Sequence, residues 1–141
     1  MFKAATLLAL RVTTSLLLII WGSMKLMNPE AATGVSERYY GGLISADMIH
    51  TPLGLAQIAL GLLVILGLFR TVIYPINAVV LVGSALAIWK YLLDPFGMWL
   101  VAAEDTRLLF FPSSTVAVAS LVLLAFKGDD ALSLDRLMGK S

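Results

Sequence analysis

The stretch that decides the fold is AATLLALRVTTSLLLIIWGSMKL, residues 4–26. Charge interrupts this apolar run only at Arg11 and Lys25. A helix needs ~20 predominantly apolar residues to cross the ~30 Å hydrocarbon core of a bilayer. Lys3 ahead of an apolar run imitates a secretory leader. However, the run exceeds the usual ~7–15 residues of a leader core and carries Arg11. No small-x-small cleavage site precedes Asn28-Pro29, so the run is expected to be a retained helix.

Three further runs follow: residues 53–69, closed by Arg70; 73–93, with Lys90 near its end; and 108–126, closed by Lys127. They are continuous and rich in Leu and Ala, without the ~10-residue alternating pattern of a membrane β-barrel. The expected fold is all-α: a polytopic membrane protein forming a four-transmembrane-helix antiparallel bundle. It is one membrane domain over 1–141, with helices at about 4–26, 53–69, 73–93 and 108–126 and a C-terminal tail at 127–141. Composition agrees: 60% of residues are hydrophobic, 13% are charged, and the mean hydropathy is +0.93. Soluble domains carry ~25% charged residues. A net charge of +1 gives no basic excess for nucleic acid. The absence of cysteine excludes disulfides, thiol relays and Cys-ligated clusters, and a single histidine, His50, excludes bis-histidine haem within this chain.

The connections differ. Only a tight turn, residues 70–75, separates the second and third runs, which makes them a hairpin. The first connection, 28–52, is long enough for a short interfacial helix near 31–40, followed by the Gly41-Gly42 break. Tyr39 and Tyr40 suit the headgroup level. The third connection, 94–107, sets Phe96, Met98 and Trp99 beside Glu104 and Asp105, also an interfacial composition. Lys3, Arg70, Lys127, Arg136 and Lys140 lie on the side of the termini, against Lys25, Arg38, Lys90 and Arg107 on the other. The Lys/Arg bias, five against four, leads to the expectation that both termini face the cytoplasm.

Few residues carry chemistry. Arg11, Thr14, Ser15, Leu18, Gly22 and Lys25 share one helical face. Arg11 there either anchors an anionic or quinone-like ligand or snorkels to the nearer interface. Lys25 has the same two readings at the opposite end. Gly54, Gln57 and Gly61 share a face of the second helix, and Asn77, Ser84 and Tyr91 recur at seven-residue spacing on the third. These groups read first as helix-packing positions, with Gln57, Asn77 and Ser84 as the polar ones. Pro112, Ser113, Ser114 and Thr115 open the fourth helix and suit its first amides. The outer collection contains Lys25, Asp47, His50, Glu104, Asp105 and Arg107. His50 can exchange a quinol proton, or is simply a loop residue before Pro52. No metal-ligand spacing, nucleotide loop or hydrolase triad stands out.

Leu10-Arg11-Val12 through Trp21-Gly22-Ser23-Met24-Lys25-Leu26 resembles the opening of DoxX-type membrane proteins, with an early Arg and a closing Gly-x-x-Lys. Gly61-Leu62-Leu63-Val64-Ile65-Leu66-Gly67-Leu68-Phe69-Arg70 is similar to that family's Gly-rich helix with a basic turn. Leu132-Ser133-Leu134-Asp135-Arg136-Leu137 resembles its Ser-[Ile/Leu]-Asp-Arg-Leu ending. The resemblance covers nearly the whole chain in order. It implies four membrane helices and a link to quinone-dependent or oxidative-stress complexes. Gln57 stands where many relatives have a membrane Glu, Lys90-Tyr91 where a His often closes the third helix, and Ser113-Ser114 where a Lys-Asn pair precedes the fourth. The family's ionisable positions therefore carry over only at Arg11 and Lys25.

Three functions follow. The first is a non-catalytic accessory or scaffold subunit of a redox-linked membrane complex, with other membrane subunits as partners and no turnover as an isolated chain. The second is a quinone-reactive oxidoreductase subunit, with Arg11, Lys25, His50 and Glu104 as ligand contacts. The third is a small transporter that uses the Arg11 face. Any bound quinone is expected at the outer end, because Lys25, His50, Glu104 and Asp105 cluster there.

Overall fold

The computed structural model describes residues 1–42, 47–105 and 110–140; within these, the side chains of Asp47 and Asp105 stay outside the description. Every regular element among the described residues is helical. The α-helices are α1 (Phe2–Met27), α2 (Pro29–Tyr39), α3 (Asp47–Leu66), α4 (Arg70–Ala87), α5 (Trp89–Leu93), α6 (Pro112–Ala125) and α7 (Leu134–Leu137). Single 3-10 turns occur at Ala103–Asp105 and Lys127–Asp129.

Three helices, α1, α3 and α4, are long and apolar enough to cross a membrane. At 1.5 Å per residue, α1 is about 39 Å long. Only about a third or less of each spanning window is buried within the protein. Leu16, Ile20, Leu55, Leu62, Val79 and Leu86 are among the exposed apolar side chains. Lipid is the solvent that suits such faces. The fourth expected span, 108–126, is shorter among the described residues: α6 has 14 residues, or about 21 Å. Its expected start falls partly on residues 106–109, which lie outside the description.

α1 packs most closely on α3, and α4 on α6. The buried residues of α1 are Leu7, Arg11, Thr14, Ser15, Leu18 and Gly22, the face that the spacing predicts. α1 and α3 run in opposite directions with their backbones almost touching. A Cβ on Gly22 would lie 2.6 Å from the Gly54 carbonyl oxygen, and one on Gly61 would lie 3.0 Å from that of Ser15. The small residues of α3 thus permit the close approach expected of membrane helices.

Several boundaries differ from the sequence expectation; α3 already begins at Asp47 rather than residue 53, with Pro52 inside its helix, and ends at Leu66 rather than residue 69. α1 stops at Asn28 because Pro29 disfavours helical backbone before it. Asn28 then caps α2, its side chain accepting from the Ala31 N–H at 3.1 Å. α4 starts at Arg70 rather than residue 73, because the Asp135 carboxylate accepts from the Arg70 N–H at 2.8 Å and caps the new helix. The third run does not continue unbroken to residue 93. The chain breaks at Ile88, which is turned inward with 1% exposure, and restarts as α5. There the Tyr91 ring packs edge-on against Tyr39, with centroids 5.2 Å apart.

Candidate functional site

The two ends of the helix assembly carry different polar groups. The tail end is where α3 turns into α4 and where residues 127–140 fold back. The loop end holds α2, α5 and the described parts of the long connections.

At the tail end the turn passes through Gly67, at φ +67°, and Phe69, at φ +52°. Gly67 is needed for two reasons. Its backbone is left-handed, and a Cβ would meet Arg11 Nη1 and the Ser133 Cβ, each at 2.5 Å. Arg11 donates from Nη1 to Asp130 Oδ2 at 2.9 Å and from Nη2 to the Leu132 carbonyl at 3.2 Å. The ion pair is 2% and 1% exposed. The Tyr74 hydroxyl donates to the same Asp130 oxygen. Arg70 donates to the Lys127, Asp130 and Lys140 carbonyls and lies 3.8 Å from Asp135. Arg11 is therefore held by the tail at this end, away from the loop end.

At the loop end, residues of α1, α2, α3, α4 and α6, with Tyr40 and Phe110, line a partly open cavity of about 120 Å³. It is comparable to the ~150 Å³ engineered cavity that takes up benzene. Leu17, Trp21, Met24, Leu81, Phe110 and Val116 supply much of its apolar wall. Its polar lining includes Lys25, Ser36, Tyr40, His50, Gln57 and Ser84. Lys25 is half-buried; its ammonium donates to Gln57 Oε1 at 2.9 Å and lies 5.7 Å from the Trp21 ring centre. His50 is 1% exposed; its Nε2 lies 2.9 Å from Thr33 Oγ1, and its buried Nδ1 makes no hydrogen bond among the described residues. Burial pushes the Tyr40 phenol up, so it keeps its proton at neutral pH. This is the lining that orients an amphiphilic ligand: apolar walls with a few convergent polar groups.

The structure brings Lys25, His50, Gln57 and Ser84 together at the cavity. Glu104 is exposed in its 3-10 turn and does not line it. Asn77 is 1% exposed, one helical turn tailward of Leu81, with neither amide atom paired. Arg107 lies outside the described residues. The sequence did not single out Thr33, which reaches His50 from α2, nor Tyr74 and Asp130, and it marked Asp135 only as part of the Ser-Leu-Asp-Arg-Leu ending. For Asp130 and Asp135 a signal existed: acids spaced among Leu132, Leu134 and Leu137 in an otherwise short tail. Thr33 gave none.

Asp94 follows α5 and organises the start of the next loop. Its carboxylate accepts from the backbone N–H groups of Met98, Trp99, Leu100 and Val101 at 2.7–3.2 Å. Burial alone would raise its pKa. The four amides outweigh that and hold it well below the usual carboxylate range.

Comparison of the chain with protein-family models, with curated proteins and with solved structures finds no match.

Proposed function

We propose that the chain is a DoxX-like membrane subunit that binds a quinone-type ligand in the loop-end cavity and serves a larger redox-linked assembly. In this reading α6 completes a fourth span, the bundle is antiparallel, and both termini face the cytoplasm of a prokaryotic inner membrane. One observation carries the ligand reading. A cavity with largely apolar walls has Lys25, Gln57 and His50 at one place in its lining. A quinone matches that pattern, with an apolar ring and tail and oxygens that need hydrogen bonds. The Lys25 ammonium has three donors and only one is used by Gln57, so it can also hold a ligand oxygen. With no cysteine the chain has no ligands for an iron–sulfur cluster, and with one histidine it has none for a bis-histidine haem, so in this reading the electrons come from a partner. The transporter reading needs the Arg11 face as a pathway, and nothing observed there favours it.

The test is titration of the purified protein in mild detergent with a short-chain 1,4-benzoquinone, followed by tryptophan fluorescence. Saturable binding is expected, and Lys25→Met should weaken it about tenfold, the worth of one charge-assisted hydrogen bond. Absence of binding, or affinity indifferent to Lys25→Met, overturns the ligand reading. Native purification that yields no stoichiometric partner chain overturns the subunit role.

A further inference from the structure

The loop after α5 is built inside out for a loop in water. Asp94 is buried, whereas Phe96, Met98, Trp99 and Leu100 are exposed, Trp99 at 75%. Four consecutive backbone N–H groups turn inward to the one carboxylate. Asp94 Oδ1 accepts from Met98, and Oδ2 accepts from Trp99, Leu100 and Val101. Gly97, at φ +68°, makes the turn that brings them round, and its own N–H donates to the Asp94 carbonyl at 3.3 Å. In water such amides would bond to solvent and apolar side chains would turn in. Irregular backbone is kept out of lipid because its unpaired N–H groups find no water there. For these four amides Asp94 removes that obstacle.

We infer that residues 96–100 form a preorganised wedge that enters the headgroup–acyl boundary of the bilayer, with the Asp94 carboxylate taking the place of water at the loop backbone. The exposed apolar series runs on from the membrane-suited helix α4, at Val79 and Leu86, through Trp89 and Leu93 of α5 into the loop. Residues 95–103 carry no charge that would hold the loop in water. The Lys90 ammonium lies 5.9 Å from the Trp89 ring centre, and tryptophan beside lysine suits the headgroup level. The Tyr91 ring packs edge-on against Tyr39 and Phe110, which ties α5 to the helix assembly and so fixes the wedge against it. The wedge needs no ligand in the cavity and stands apart from the quinone reading. Asp94 is a positioning residue, acting on the lipid contact through the loop backbone.

The chain has three tryptophans, so Trp21→Phe with Trp89→Phe leaves Trp99 as the only one. The full-length variant is placed in phosphatidylcholine vesicles. Its emission is quenched either by lipid brominated on the upper acyl chain or by iodide present on both faces of the membrane. Brominated lipid is expected to quench several-fold more strongly than iodide, with emission blue-shifted from that of tryptophan in water. Quenching by iodide without quenching by brominated lipid overturns the inference. Protection from both quenchers means that protein covers the loop, and overturns it as well.

The second arm removes the acceptor. In Asp94→Ala the four amides must turn to water, so brominated-lipid quenching of Trp99 should fall and iodide quenching should rise. Asp94→Asn keeps one acceptor oxygen and should fall between Asp94→Ala and the parent. A companion variant with Trp89→Phe and Trp99→Phe reports folding through Trp21, whose emission should not change. If Asp94→Ala alters Trp21, Asp94→Asn carries this arm. Trp99 depth unchanged in the folded Asp94 variants overturns the role of Asp94.

Discussion

At the tail end, Arg11 faces Asp130 at 2.9 Å and Arg70 lies against Asp135, opposite charges paired inside the protein. At the loop end, Lys25 donates to the neutral Gln57, and His50 makes one hydrogen bond through one of its two nitrogens. Among the described residues no ion pair involves Lys25. The tail end therefore sets opposite charges against each other, although Arg11 Nε, Arg70 Nε, Asp130 Oδ1 and Asp135 Oδ1 make no hydrogen bond among the described residues, whereas the loop end places an ammonium against neutral groups beside a cavity. Burial alone does not tell a ligand group from a structural one. Arg11 and His50 are both almost fully buried, but Arg11 meets a countercharge in Asp130, whereas His50 meets the neutral hydroxyl of Thr33.

The largest effect should come from breaking the tail-end pair. Asp130→Asn or Arg11→Leu leaves its partner as an unpaired buried charge, which costs about 3–5 kcal/mol. Thermal unfolding in detergent should show the loss, while any folded fraction keeps wild-type benzoquinone affinity. The double variant Arg11→Leu/Asp130→Leu should recover part of the stability, because no lone charge remains. A loss of less than about 1 kcal/mol in either single variant, on the scale of an exposed pair, would place Arg11 in water and erase the contrast between the ends.

A smaller effect is expected at Asp94. Its carboxyl is held below its unfolded value near 3.8, so its stabilisation is complete above that value. The contribution is lost only as pH falls through the still lower folded value. Hydrogen exchange of the Met98, Trp99, Leu100 and Val101 amides should thus show protection factors that are flat from pH 5 to pH 8, in roughly the range where the carboxylate stays ionised. Asp94→Asn should lower that protection at every pH, with no change in amides at the tail end. Protection that already falls between pH 8 and pH 5 would contradict the sign of the shift.

The smallest effect sharpens the comparison from the loop side. Gly34 lies in α2 with nothing within 4 Å of an added Cβ. Gly34→Ala should stiffen α2 by about 0.5–1 kcal/mol. Because α2 supplies Thr33 and part of the cavity wall, slower exchange of α2 amides should accompany slower benzoquinone dissociation. Faster exchange in α2 would mean that its helix is not limited by the glycine.

The apolar runs determined by themselves that the chain is helical and suited to a membrane. In lipid each backbone group must pair within its own segment, so length and hydrophobicity suffice to read a helix. The stripe from Arg11 to Gly22 was legible for the same local reason, a period of 3.6 residues. The start of α4 was not legible, because its capping carboxylate comes from Asp135, 65 residues away. Nor was the partner of Arg11, 119 residues along the chain, so a charge that reads from the sequence as a snorkelling group or a ligand anchor became half of a buried pair only in the folded protein. Lys25 and His50 could be named as candidates from residue type. That they share one cavity, and that Thr33 presents the imidazole there, was decided by the packing of α1, α2 and α3. Side-chain contacts between separate helices depend on rotation and register, which no single segment encodes.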